Sequence, residues 1–419
     1  MYNLCRKMFS YCRSITGNGV RQTLEDLQKV FPELKVVGVP SRTKVFDWII
    51  PDEWIIYDAW IKNEAGEKII DFKKSNLHVL GYAKSIDKIL SLEELNKIIY
   101  TQPEQPDVIP YVTSYYKRET GFCMSENQRK SLQEGQYHAY IKSEFKKGYL
   151  NYGEIVIPGE LKQEVLLSTY LCHPSMANDN LSGIAVAIYL AKWIASMNTR
   201  KYTYRILFVP ETIGAIAYLS KNYEQMKKNT IAGFTLSCVG DNKYFSYIES
   251  RYGNTLSDRV AQNVLHFYCP DYVRYTFLDR GSDERQYNAP HVELPVCSIC
   301  RTKHGEFMEY HTSDDNLEFI SAEGLQGAYE VYQQCIEVIE MNRIYQVRCL
   351  GEPFLSKYDL YPSKSQKTNY GNIRDITNFI TYADGTNDLV SISDMIDVPV
   401  KILSIIAKRL ENCGIIEQI

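Results

Sequence analysis

Five residues in the middle of this chain, His173, Asp179, Glu211, Asp241 and His311, are of the types that bind a divalent metal or move a proton, and apolar runs lead up to them. Val165 to Cys172 is largely apolar and β-branched, as in a buried parallel strand, and it ends on His173. Leu181 to Trp193 is small and apolar, as a packed helix requires, and Asp179 lies in the turn between the two. Arg205 to Val209 leads to Glu211 and a glycine at 214, and Ala232 to Val239 leads to Asp241. Leu294 to Cys300 leads to a loop holding Glu309-Tyr-His311-Thr-Ser-Asp-Asp-Asn316. Ligands of open α/β sheets bind beyond the carboxyl ends of the strands, and imidazole and carboxylate are ligands that zinc takes. Aspartate and asparagine also serve as helix caps and turn formers. That role accounts for Asp314 and Asp315, but not for His173, Glu211 and His311.

The order of these residues resembles a known family. A histidine, an Asp-Asn-x-Ser-Gly turn, a glutamate before a glycine, and a His-Thr-Ser-x-Asp loop are similar to the zinc aminopeptidases of the phosphorylase/hydrolase-like fold, relatives of the glutaminyl cyclases. Nearly the whole chain resembles a bacterial group of aminopeptidase-like proteins with an α/β catalytic domain, an inserted β-rich domain and a C-terminal winged helix. The most specific marks are His173-Pro-Ser-Met-Ala-Asn-Asp-Asn180, Pro210-Glu-Thr-Ile-Gly214, Gly281-Ser-Asp-Glu-Arg-Gln-Tyr287 and Tyr310-His-Thr-Ser-Asp-Asp-Asn316.

The resemblance implies a ligand set with departures. His173 matches the first metal histidine, but Ser175 stands where the family usually has an acid. Asp179 lies in the turn of the metal-bridging aspartate, although register against Ser182-Gly183 places Asn178 there. The family's pair of glutamates, base then ligand, reads Glu211-Thr212, and the aspartate of the third strand falls near Ser237, with Asp241 beyond it. His311 matches the last histidine. The expectation is zinc, one ion or a remodelled pair, held by His173, Asp179 and His311 with Asp241 as a further ligand. Such a site activates water and polarises a carbonyl, and Glu211 is the general base. Asp283 is either a second carboxylate of the site or a turn cap. Arg251, Arg285 and Arg301 suit a substrate carboxylate, and surface ion pairs suit them equally. The activity implied is hydrolysis of a peptide or small amide. The alternatives are an amide hydrolase or cyclase acting on an amino-sugar or modified amino acid, and a non-catalytic binding protein.

The elements that must position these residues follow from the rest of the chain. Its 419 residues are too many for one ordinary domain, and 45% hydrophobic with 23% charged residues describes a globular protein. We expect a catalytic domain at 1–40 and 148–346, an inserted β-rich domain at 41–147 and a winged-helix domain at 347–419. Leu24, Leu27, Val30 and Phe31 recur at helical spacing before Pro32. Residues 41–147 change to tyrosine- and tryptophan-rich alternation, with a hairpin signal at Asn63-Glu-Ala-Gly-Glu67. Their aromatics are assigned to core and inter-domain packing ahead of a substrate wall. Ile373 to Ala383, Ser391 to Ile396 and Val398 to Asn412 read as three helices, the second opened by Ser391 or Ser393 and the last stopped by Gly414. A net charge of -4 and few basic residues on the last helix argue against nucleic acid and for packing, with a homo-oligomer as one outcome. Eleven scattered cysteines, with Cys297-Ser-Ile-Cys300 inside an apolar strand, indicate a reducing compartment. The start of the chain lacks a signal-peptide core and no stretch suits a membrane span, so a cytoplasmic location is expected.

Overall fold

All seven residues of the strand Glu164–Tyr170 are buried, which a strand achieves only inside a sheet covered on both faces. The computed structural model, which describes residues 1–361 and 371–419, places it in an eight-stranded sheet. The strand order is Lys35–Pro40, Tyr149–Ile157, Thr203–Val209, Glu164–Tyr170, Thr230–Thr235, Val296–Cys300, Ser246–Ile248 and Val273–Tyr275. The four central strands, from Thr203–Val209 to Val296–Cys300, pair in parallel. Their carboxyl ends therefore share one edge, and the loops carrying His173, Glu211, Asp241 and His311 all leave from it. The helices Gly183–Ser196 and Ile213–Asn229 follow the first two of these strands in the chain.

Charge enters this sheet only when paired. Arg205 forks onto Glu164 of the neighbouring strand at 2.7 and 2.8 Å and reaches Glu154 on its other side at 2.5 Å. A buried guanidinium with two carboxylates and a tyrosine hydroxyl, Tyr218, leaves no uncompensated charge between strands.

The chain leaves the main sheet at Pro40 and returns beside it at Tyr149, the two residues being cross-strand partners. The excursion forms a four-stranded antiparallel sheet in the order Lys68–Asp71, Glu53–Lys62, Gln136–Lys146, Ile86–Ser91, whose buried side includes Ala59, Ile61, Ile70, Tyr137 and Ala139, with Phe122 in the same core. The hairpin expected at Asn63 to Glu67 joins its first two strands, with Gly66 at φ 79. By contacts, residues 1–255 and 273–329 form one compact unit, which includes this excursion.

The second unit comprises residues 256–272 and 330–419, and residues 362–370 of the expected last domain lie outside the described residues. Its three-stranded sheet, Asp384–Asp388, Ile344–Val347, Ile416–Gln418, begins at Ile344, ahead of the boundary expected at 347. The helices are Gly371–Tyr382, Leu389–Ile396 and Val400–Asn412. The second is capped by Asp388, not by Ser391 or Ser393, because the Asp388 carboxylate accepts the Ser391 N–H while Ser391 already lies within the helix.

Asp388 also takes both arms of Arg259 at 2.8 Å and the Asn342 amide at 2.9 Å. Burial pushes its carboxyl up, but Arg259, Asn342 and the Ser391 donors outweigh burial and hold it well below the ordinary range. The folded state thus binds this proton more weakly than the unfolded chain. Its stabilisation is complete above about pH 4 and is lost as pH falls below that. Asp388→Ala is expected to cost this unit about 2–3 kcal/mol at pH 7, from a lost cap and lost charged hydrogen bonds. Calorimetric unfolding at pH 7 and pH 3 checks this, the difference between variant and parent shrinking at pH 3.

Candidate metal centre

His173 follows the central strand immediately beyond its register, with its side chain 5% exposed. Arg13, itself buried, holds its carbonyl through Nε at 2.9 Å. The Nδ1 side faces Cys172 Sγ at 3.5 Å, which leaves Nε2 toward the site, 3.8 Å from Glu211 Oε2. Burial lowers the His173 pKa to about 4, so the imidazole is neutral at pH 7, the form a metal requires.

Of the two residues between which the sequence left a choice, Asp179 is the one that faces the histidines. Its Oδ1 accepts a hydrogen bond from the Tyr170 hydroxyl, and its Oδ2 lies 3.0 Å from His311 Nε2. Asn178 turns the other way, accepting the Gly240 N–H and donating to Asp241. Burial pushes the Asp179 carboxyl up, but His173, His311 and the Tyr170 hydroxyl prevail and keep it ionised, well below the usual range. His173, Asp179 and His311 offer three ligand atoms within 4.8 Å of one another. Asp179 Oδ2 and His311 Nε2 are buried, and neither has a hydrogen-bond partner despite their separation of 3.0 Å. Buried polar atoms are rarely left so, and a carboxylate oxygen and two imidazole nitrogens gathered in one place are a donor set that fits a zinc ion.

Asp241, expected among the ligands, does not join this group. Its carboxylate accepts from Thr302 N at 3.0 Å, Thr302 Oγ1 at 2.8 Å, Lys243 N at 2.9 Å and Asn178 Nδ2 at 3.1 Å. Its four hydrogen bonds tie together the loops after three neighbouring strands, Glu164–Tyr170, Thr230–Thr235 and Val296–Cys300. Ser175 donates to Asn76 at 2.7 Å, and Ser237 faces Cys300 Sγ at 3.9 Å.

Glu211, with a side chain 22% exposed, stands beside His173. Its backbone N–H points to Cys172 Sγ at 3.3 Å. Burial, then the negative charges of Asp283 and Asp179, push its carboxyl well up, while Arg285 opposes them. Burial, and then Glu211, push the Cys172 thiol well up, and its sulfur joins ligand atoms of His173 and Glu211 in a second group lying within 4.8 Å of one another. Asp283 is fully buried, takes the Thr212 N–H at 2.7 Å, and is raised to about 7, chiefly by burial. It therefore belongs to the site and is not a surface cap. Four residues of this edge, Ser175, Thr212, Cys238 and His311, have φ between 47 and 62. For a threonine that conformation is strained, and strain of this kind concentrates where side chains must be aimed.

Three further residues were not singled out from the sequence. Tyr170 ends the central strand with its ring buried, and a buried tyrosine hydroxyl must find a partner. Tyr111 comes from the inserted segment, where its N–H donates to the His311 carbonyl at 2.8 Å and its ring lies 5.1 Å from both histidine rings. Tyr310 stacks on His311 from its own loop. Asp315, assigned to a turn, is fully buried, and its two oxygens accept the N–H groups of Asn178 and Asp179 at 2.6 and 2.9 Å. Burial and then Asp179 raise its carboxyl to about 8. Asp315→Ala removes the acceptors that shape the Asp179 turn, and zinc affinity is expected to fall about 10–100-fold, as measured by competition with a chromogenic chelator.

Residues 2–342 match a family model described as domain of unknown function (DUF4910), and residues 343–418 match a winged helix-turn-helix. A Clostridium acetobutylicum protein, provisionally named a polysaccharide biosynthesis protein with aminopeptidase-like domain, is 42% identical over 398 residues, 94% of this chain and 90% of its own. The crystal structure of a provisionally named peptidase from Clostridium acetobutylicum is 40% identical with a TM-score of 0.92, covering 100% of this chain and 96% of that one. A zinc aminopeptidase from Bacillus subtilis shares 13% identity at a TM-score of 0.58, over 80% of this chain and 94% of its own. At that identity the likeness is one of fold.

Proposed function

This chain belongs to the DUF4910 family, joined to a C-terminal winged helix, and on that footing we propose that it is a zinc-dependent hydrolase of an amide bond, in its simplest form an aminopeptidase. The observation that carries the reading is the buried, unpartnered pair Asp179 Oδ2 and His311 Nε2 beside the neutral His173. A zinc ion held there supplies Lewis acidity, lowering the pKa of a water molecule and polarising a carbonyl. Glu211 takes a proton from the attacking water and passes it to the leaving amine. Its raised proton affinity, set by burial and by Asp283 and Asp179, suits that exchange. Tyr170 fixes the carboxylate of Asp179, and Tyr111 and Tyr310 wall the histidines.

The relative's name, which places it in polysaccharide biosynthesis, favours a second substrate reading, an amide on an amino sugar. A panel of amino-acid amides and N-acylated amino sugars tests both. Turnover is expected with zinc and not after chelation, and turnover indifferent to chelation would sink the reading. We assign the winged unit to packing or assembly, because the last helix exposes Ile402 and Ile405 while Lys401 faces Glu337 and Arg409 bonds the Asp359 carbonyl. No helix among the described residues is long and apolar enough to cross a membrane.

A further inference from the structure

Three arginines suit a substrate anion by sequence, and the structure separates them. Arg251 pairs with Glu293 at 3.5 Å and lies over the Tyr252 ring. Arg301 donates to the Asp241 carbonyl at 2.8 Å and lies 4.2 Å over Phe245. Arg301 is thereby occupied in holding structure, and Arg251, though its Nη1 makes no hydrogen bond, already faces a carboxylate. Arg285 is the one whose positive charge reaches Glu211 and Asp283. Its Nη2 donates to Thr212 Oγ1 at 2.6 Å, next to Glu211 in the chain, while its Nε is buried with no hydrogen-bond partner. It forms no ion pair with any described residue, although its charge reaches both Glu211 and Asp283.

A guanidinium whose charge reaches two carboxylates, Glu211 and Asp283, yet pairs with neither is open to a further anion. Arg285 is only partly buried, and its partner Thr212 adjoins Glu211, whose side chain solvent also reaches. The Thr212 hydroxyl is a neutral acceptor for one arm and leaves the remaining donors for a planar anion, the geometry that a guanidinium fork matches. We propose that Arg285 is the specificity residue of the site and binds a carboxylate of the substrate, so that the amide cleaved belongs to an acidic molecule. This rests on the reading of the site as a zinc hydrolase. Thr212 is then the positioning partner that keeps the guanidinium off Glu211, so that the base stays free for the water.

The test uses two probes that anchor through a hydroxamate and differ only at the far end: succinic acid monohydroxamate, which carries a carboxylate, and butyryl hydroxamate, which does not. Calorimetric titration of the full zinc-loaded chain is expected to show the acidic probe binding about tenfold tighter or more, the scale of a charged hydrogen-bonded contact. In Arg285→Gln that advantage disappears, while the neutral probe binds as in the parent and zinc content is unchanged. Equal binding of the two probes to the parent overturns the assignment of Arg285 alone. Failure of both probes to bind the parent overturns the metal reading beneath it. Loss of the neutral probe in Arg285→Gln makes the arginine a brace for the site and also overturns the proposal. Arg285→Lys retains charge without the fork, and partial retention of the tenfold preference is expected.

Discussion

Glu211→Gln is expected to lower the rate of amide hydrolysis by about 10²–10⁴-fold while leaving bound zinc in place, the range for removing a general base. The substitution keeps shape and volume, so the neighbouring His173, 3.8 Å away, and the strained Thr212 turn are not disturbed. An amide cannot accept the water's proton. Asp283, the nearest candidate to replace Glu211, is fully buried and gives one oxygen to the Thr212 N–H. The paired measurement decides between two roles for Glu211. Zinc retained with turnover lost identifies the base, whereas zinc lost together with turnover makes Glu211 a ligand in a set with His173 and Cys172. Unchanged turnover would falsify both.

How much of this site was legible in the sequence depends on how local each signal is. Strand ends are local: the buried runs before His173, Glu211 and the His311 loop predict a shared edge, and the parallel pairing of their strands produces one. Side-chain direction is not local. Asp241 follows a strand as His173 does, yet it faces Thr302, some sixty positions on, whose N–H and hydroxyl claim its carboxylate. Asn178 and Asp179 are adjacent and nearly identical in size, and only the partners waiting on each side, Gly240 and Asp241 for one and Tyr170 and His311 for the other, tell them apart. Tyr111 had no signal at all. It arrives because the inserted segment pairs with the His311 loop, Ile109 and Ser313 exchanging hydrogen bonds at 3.0 and 2.9 Å. The insertion, expected to pack aromatics, therefore also supplies a wall of the site.

His311→Ala is the second change with a large expected effect: zinc near one equivalent in the parent should fall below about a tenth of an equivalent in the variant, since a three-ligand site cannot hold zinc at ordinary concentrations with two. His311 serves this purpose better than His173. Its side chain is 36% exposed, so truncation leaves no large cavity, whereas His173 is buried against Tyr170 and its loss would mix unfolding with metal loss. Stability supplies an independent readout. A ligand that binds only the folded state at a thousandfold excess over its dissociation constant stabilises by about 4 kcal/mol. Chelation should therefore lower the Tm of the parent and leave that of His311→Ala where it already was. One equivalent rather than two is the expected stoichiometry, because the positions that would complete a second set hold Ser175, Thr212 and Ser237, and each has its hydrogen bond elsewhere. A parent that stays empty after incubation with zinc, with a Tm indifferent to chelator, would remove the metal from the mechanism and leave Asp179 and His311 as neighbours in a binding cleft.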